Sequence, residues 1–188
     1  MARFIVFEGG DGSGKSTQAR SLSQRLRRRS IPVLVTREPG GTPASESIRR
    51  LLKGQHNFQP MSELLLFEAA RSQLVESVIR PSLDSGTTVI CDRYTASTIA
   101  YQGYGRGLNL ELIRQLNEMA TGGLVPDLTI LLDLQPQAGL SRRGTSRSDP
   151  FESAPQEFQR KVREGYLGQA AEDPERWLVL DGSRPQRD

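Results

Sequence analysis

Between an apolar run at residues 4–7 and a helix-period segment carrying Gln18, Ala19, Leu22 and Leu26, the chain reads Gly9-Gly10-Asp11-Gly12-Ser13-Gly14-Lys15-Ser16-Thr17. This fits G-x-x-x-x-G-K-[ST], and its place between a strand and a helix is the context that makes the pattern a phosphate-binding P-loop. Glycines let backbone N–H groups turn inward around phosphate oxygens, the following helix adds its positive N-terminus, and Lys15 reaches the outer phosphates. Ser16 is placed to sit on Mg²⁺. The loop assigns Gly9, Gly10, Asp11, Gly12, Ser13, Gly14, Lys15, Ser16 and Thr17 to binding a nucleotide.

Such a loop hangs from a parallel sheet, and the rest of the chain supplies one. Breaker-bounded apolar runs occur at 4–7, 33–35, 88–91, 128–134 and 178–180, continuously apolar rather than alternating. Helix-period segments lie at about 15–29, 44–53, 62–80, 109–121 and 155–172. Buried strands alternating with helices predict an α/β protein, a three-layer P-loop NTPase fold with a five-stranded parallel sheet flanked by helices. At 188 residues this is one domain, 1–188. The Gly/Ser/Arg-rich stretches 103–107 and 141–148 read as functional loops or mobile segments.

A P-loop fixes phosphate binding but not the reaction, since kinases, GTPases and motor ATPases share it. No Asn-Lys-x-Asp segment of the guanine-reading type is present, and the chain has only three lysines, Lys15, Lys53 and Lys161. After the third strand comes Cys91-Asp92-Arg93-Tyr94, where Asp92 is placed to hold the Mg²⁺ shell and Arg93 suits an anionic acceptor. Twenty-two arginines and three lysines against 22 carboxylates leave a net charge of only +3, with no long basic run to track a nucleic acid. A lone cysteine and a lone histidine exclude an internal disulfide and an ordinary zinc site, and point to a reducing compartment. No apolar stretch reaches the roughly 18 residues of a membrane span, and the N-terminus runs straight into a strand; the expectation is a soluble, cytoplasmic protein with neither membrane nor nucleic acid as partner.

At Thr36-Arg37-Glu38-Pro39-Gly40-Gly41-Thr42 the sequence resembles the thymidylate kinases, and further motifs agree in order and spacing. They are Phe67-Glu68-Ala69-Ala70-Arg71, Asp92-Arg93-Tyr94 through Ser97, Ala100 to Gly107 with Tyr101-Gln102-Gly103, and Pro126-Asp127-Leu128-Thr129. The resemblance, covering about 3–181, implies transfer of the γ-phosphoryl of ATP to dTMP, with Mg²⁺, in a homodimer. It implies that Asp11 hydrogen-bonds the sugar 3′-hydroxyl, that Arg37, Arg49 and Arg93 surround the acceptor phosphate, and that Glu38 and a cis-bonded Pro39 form the turn beside it. Ser97, Tyr101 and Gln102 look like base-side contacts. Phe67 and Arg71, spaced i,i+4, project from one helix face, so that a ring can stack on a pyrimidine while a guanidinium meets a base carbonyl.

The chain departs from the family pattern in three places. Some members carry arginine in the P-loop where this chain has Gly12, so transition-state charge must be met from elsewhere. The segment Ser141-Arg142-Arg143-Gly144-Thr145-Ser146-Arg147-Ser148-Asp149 resembles the lid of the other class, at about 141–154, with Arg142, Arg143 and Arg147 as catalytic candidates beside Lys15 and Arg93; Pro150 stands where an arginine is common. Members usually continue for about one more helix, so part of one sheet face is expected to be less covered or covered by a partner. Two other readings stand beside this one: a deoxynucleoside kinase using Glu38 as base, and a nucleotide-binding regulatory module without turnover. The helices 44–53 and 62–80 offer apolar faces for a dimer or for the core, and Arg25 with Arg27–29 is left as a solvated helix end.

Overall fold

Each of the five strands ends on a charged residue, and those ends lie side by side. They are β1 (Phe4–Glu8), β2 (Val33–Arg37), β3 (Thr88–Asp92), β4 (Leu128–Asp133) and β5 (Trp177–Asp181). The computed structural model describes residues 2–54, 56–142 and 155–184. All strands are parallel, in the order β2-β3-β1-β4-β5. The chain leaves β1 for the far edge at β2, returns to β3, and then crosses β1 to β4. Loops therefore diverge at the carboxyl ends of the central strands, where open α/β sheets bind ligands.

Strand alternation sorts the core into two faces. Phe7, Ile90, Ile130 and Leu132 pack with Ala19, Leu22 and Leu26 of α1 (Lys15–Arg28). Phe4, Val6, Val89 and Cys91 face the other way, onto Leu74, Val75 and Ile79. That layer holds α2 (Pro43–Lys53), α3 (Pro60–Leu74), α4 (Arg80–Asp84), α5 (Thr95–Thr98), α6 (Leu110–Thr121) and α8 (Gln156–Glu172), while α7 (Pro136–Ser141) packs against the P-loop and α8. Local chemistry sets the starts. Pro43 and Pro60 open α2 and α3, Thr42 Oγ1 accepts from the Ser45 N–H, and Asn109 Oδ1 accepts from the Leu112 N–H.

The structure differs from the sequence expectation in four places. The helix expected over 62–80 runs from Pro60 to Asp84 through a π-helical turn at Val75–Ile79, next to Pro81, which has no N–H to give the preceding turn. The stretch 103–107, read as a loop, begins inside a second π-helical turn, Ile99–Gly105, in which Ala100, Tyr101, Gln102 and Gly103 are buried. Short helices α5 and α7 carry no sequence period. Arg27, one of the unassigned arginines of α1, donates to the Val33 carbonyl. By register with Ile130 and Leu132, Leu178 and Leu180 lie on the α1 face, yet they stay 45% and 42% exposed because α1 packs over β1, β2 and β3.

Candidate active site

A cleft of about 500 Å³ opens at the carboxyl ends of β1, β2 and β3. Of the residues singled out in the sequence, Asp11, Gly12, Gly14, Lys15, Ser16, Thr17, Arg37, Glu38, Pro39, Arg49, Phe67, Arg71, Asp92, Arg93, Ser97, Tyr101, Gln102 and Arg142 line it. Gly9 and Ser13 are buried and Gly10 is half-buried, none of them in the cleft lining, and Arg143 and Arg147 lie outside the described residues.

The loop is wedged between β4 and α7. At Gly9 (φ 137) a Cβ would come within 2.5 Å of the Leu132 carbonyl, and at Gly12 (φ 75) within 2.4 Å of the Gly139 carbonyl. Gly14 (φ 96) turns the chain into α1, whose first N–H groups have no intrahelical acceptor. Lys15 Nζ lies back along the loop, donating to Gly9 O at 3.0 Å and Gly10 O at 2.9 Å. Burial, with the Arg93 charge adding to it, pushes the Lys15 amine down to about 7. The Ser16 hydroxyl donates to Asp92 Oδ2, so the two residues expected at a metal meet.

Arg93 reaches the cleft because its backbone is left-handed (φ 73), unusual for a residue with a Cβ, while its N–H still bonds Phe7 O. Its Nη2 donates to Asp11 Oδ1 at 2.6 Å and to the Tyr101 hydroxyl at 3.1 Å. Its Nη1 donates to Gly9 O, Ser97 Oγ and the Tyr166 hydroxyl, the last at 3.0 Å. Ser97 Oγ in turn gives its proton to Glu8 Oε2 at 2.7 Å and lies 2.7 Å from the Tyr166 hydroxyl. A relay thus runs from Arg93 through Tyr166 and Ser97 to Glu8. Glu8 is fully buried, and burial raises its carboxyl above the usual range, against the opposing pull of Arg93, Ser97 and the Tyr94 N–H. Ser97, expected beside a base, lines the cleft and also takes part in the Arg93 support.

Arg71, 1% exposed, sits in a socket that uses all five of its N–H donors. Nε meets Glu38 Oε2, Nη1 meets Glu68 Oε1 and Asn117 Oδ1, and Nη2 meets Thr98 Oγ1 and the Tyr94 carbonyl. Two carboxylates share this one guanidinium, and Glu38 Oε1 and Glu68 Oε2 are buried without a hydrogen-bond partner among the described residues. Burial pushes the Glu38 carboxyl up to about 7, with Arg71 opposing the rise. The Glu38–Pro39 peptide is cis. Arg49 donates to the Pro39 carbonyl and Arg37 pairs with Glu46, both on the wall opposite the loop. Arg142 donates to the carbonyls of Gly182 and Ser183, at the rim.

Sequence reasoning passed over Glu8, Glu63, Glu68, Thr98, Asn117 and Tyr166. Glu8 carried a signal, a carboxylate ending a buried apolar strand, and Glu63 carried another, one turn before Phe67 on the face of Arg71. Tyr166 and Asn117 carried none, because only the fold brings α8 and α6 to the strand ends.

One set of cations lies on the loop and a second across from it, an arrangement with a use when two anions must be brought together against their repulsion. A P-loop kinase with an anionic acceptor is the class that fold and site define. A family profile described as thymidylate kinase matches residues 7–188. Thymidylate kinase of Dehalococcoides mccartyi is 50% identical over 188 residues, 99% of this chain and 90% of the relative. That of Deinococcus radiodurans is 49% identical over 97% of this chain and 90% of its own length. The crystal structure of thymidylate kinase from Ehrlichia chaffeensis superposes with a TM-score of 0.81 at 39% identity, covering 95% of this chain and 92% of that one. The chain belongs to the thymidylate kinase family.

Proposed function

We propose that the cleft carries the reaction of this kinase, transfer of the γ-phosphoryl of ATP to dTMP to give dTDP and ADP, with the loop holding ATP and the opposite wall holding dTMP. The observation that carries the assignment is the 2.6 Å pair between Arg93 and Asp11, which ties the acceptor side to the donor loop. The acceptor is already an anion at neutral pH, so the task is positioning and charge stabilisation rather than proton removal. Gly9 to Thr17 wrap the triphosphate and Lys15 turns from its loop carbonyls to the outer phosphates. Arg93 faces the phosphoryl group in flight, Arg37 and Arg49 hold the acceptor phosphate, and Asp11 and Tyr101 meet the sugar. Phe67 and Gln102 take the base, Arg71 exchanges one of its socket hydrogen bonds for a base carbonyl, and Glu38 with Pro39 shapes the turn that sets Arg71.

Ser16 and Asp92 offer a hydroxyl and a carboxylate oxygen side by side, a hard donor set that fits Mg²⁺. Among the described residues no three acidic, histidine or cysteine side chains gather, which suits an ion completed by phosphates and water. Bound there, the ion would neutralise charge on the phosphate oxygens. Arg142, Arg143 and Arg147 are assigned to closing over ATP, replacing the arginine that Gly12 lacks. The whole 1–188 chain acts as one domain in the cytoplasm, its single cysteine buried and reduced; no helix among the described residues is long and apolar enough to cross a membrane. Half-exposed Met61 and Leu65, one turn apart on α3, and Leu51 on α2 support a homodimer, which light scattering tests.

An ADP-release assay with dTMP, thymidine, dUMP and dCMP as acceptors tests the reaction. Turnover with dTMP that disappears in Lys15→Ala is expected; turnover with thymidine but not dTMP would overturn it.

A further inference from the structure

Gln102 lines the cleft and is 1% exposed, so the orientation of its amide decides what it can offer a bound base. That orientation is set from behind. Its Nε2 donates to Glu63 Oε1 at 2.8 Å, and a carboxylate oxygen accepts only, so the reverse amide orientation would put two acceptors face to face. Glu63 is itself 5% exposed and held in a fork: Arg106 Nε reaches Oε1 at 3.2 Å and Arg106 Nη2 reaches Oε2 at 3.0 Å. Arg106 lies over the Phe158 ring at 5.0 Å, which fixes the far end of the chain. With one N–H of Nε2 held by Glu63 and the amide fixed in that orientation, Gln102 keeps Oε1 as the acceptor it can offer.

We propose that Glu63 is a specificity-positioning residue: by locking the Gln102 amide with its oxygen toward the base, it selects a pyrimidine that presents a ring N–H. This rests on the dTMP reading of the cleft. Thymine and uracil carry hydrogen on N3, whereas cytosine presents a bare N3 acceptor to the same oxygen. Two acceptors pressed together in a buried site leave both unpaired, and sites built around a polar partner reject mismatches strongly. Glu63, Phe67 and Arg71 recur at four-residue intervals on one face of α3, so one helix stripe would support the acceptor, stack on the ring and aim the guanidinium.

Glu63→Gln tests this, because an amide at 63 is satisfied by either orientation of Gln102. In the full chain the ratio of kcat/KM for dTMP to that for dCMP is expected to fall by about tenfold or more, the size of one lost polar discrimination. The change should appear as a higher KM for dTMP and a lower one for dCMP. A loss of packing alone would weaken both acceptors together and leave the ratio where it was. Gln102→Met, which keeps Glu63 and its Arg106 fork but removes the acceptor, should lower the ratio similarly. A ratio unchanged in Glu63→Gln but lowered in Gln102→Met, with wild-type turnover of dTMP intact, overturns the role of Glu63 alone, and a ratio unchanged in both overturns the Gln102 contact with it. Wild-type protein that fails to phosphorylate dTMP overturns the reading of the cleft, and this role with it.

Discussion

Arg93 Nη2 donates to Asp11 Oδ1 across 2.6 Å, joining residues 82 positions apart, one after β3 and the other inside the P-loop. Asp11 Oδ2 also accepts from the Tyr101 hydroxyl at 3.3 Å, so the carboxylate turns away from the triphosphate side of the loop. A carboxylate beside phosphates would repel them; paired with Arg93 it instead orients the group that faces them. Asp11→Asn keeps the shape and removes the charge. The expected outcome in steady-state kinetics is a KM for dTMP raised about tenfold, the loss of a charge-assisted hydrogen bond worth about 1.5–3 kcal/mol less partial compensation by the amide. Arg93→Met should cost kcat at least about a hundredfold, the usual size for an electrostatic group at the transition state.

Tyr166→Phe isolates the support behind Arg93. The hydroxyl links Arg93 to Ser97 and is buried, so its removal leaves Ser97 with Arg93 as its one remaining donor among the described residues and lets the guanidinium shift, while every phosphate-contacting side chain remains. Expected is a fall in kcat of about fivefold to tenfold with KM for ATP unchanged, and a loss of about 1–3 kcal/mol in unfolding free energy. Unaltered kcat with reduced stability would make Tyr166 a packing residue only.

What the chain's own pattern disclosed was chemistry that is local in sequence. The P-loop, the strand-end Asp92-Arg93 and the i,i+4 pair Phe67 and Arg71 each lie within one turn or one strand end, where period and spacing carry the geometry. The five strands and five long helices were legible for the same reason. The supports were not. Glu8, Tyr166 and Ser97 form one relay only after β1, α5 and α8 pack together, and no spacing links positions 8, 97 and 166. Leu178 to Leu180 read as a buried strand, yet β5 is an edge strand with half-exposed side chains, because run length reports apolarity and not how far the covering helix extends.

Glu38 makes the protein's stability depend on pH. Its carboxyl is raised from 4.5 to about 7 by burial, so the folded state holds a proton that the unfolded chain releases between those values. A raised folded value gives stability that is fully present below about 4.5 and is lost as pH rises through about 7. In urea titrations the wild type is expected to lose stability across this window, and Glu38→Gln, which cannot ionise, to flatten that slope. An identical slope in the two proteins would place the proton elsewhere.

Lys15 titrates with the opposite sign. Burial lowers its amine from 10.5 to about 7, so at pH 8 most free protein carries it neutral. The triphosphate of ATP favours the charged amine, so binding at that pH should take up a proton. Calorimetry at pH 8 in buffers of different ionisation enthalpy should show uptake approaching one proton, absent in Lys15→Met. ATP affinity should weaken as pH rises above about 7.

Gly12 fixes which catalytic arrangement the chain can use. Its φ of 75 disfavours any side chain, and a Cβ there would lie 2.4 Å from the Gly139 carbonyl at the face of α7. Gly139 is equally confined, since its Cβ would come 2.4 Å from the Asp11 carbonyl. Backbone faces backbone at this contact, so no flexible side chain can give way. Placing the arginine of other family members here, Gly12→Arg, should therefore displace the loop rather than add a catalytic cation. The expected outcome is a loss of ATP binding by calorimetry, and Gly12→Ala should produce much of the same defect although it adds one methyl group. A Gly12→Ala protein that binds ATP normally would show that α7 moves aside readily, and Gly12→Arg would then be expected to accelerate rather than abolish transfer.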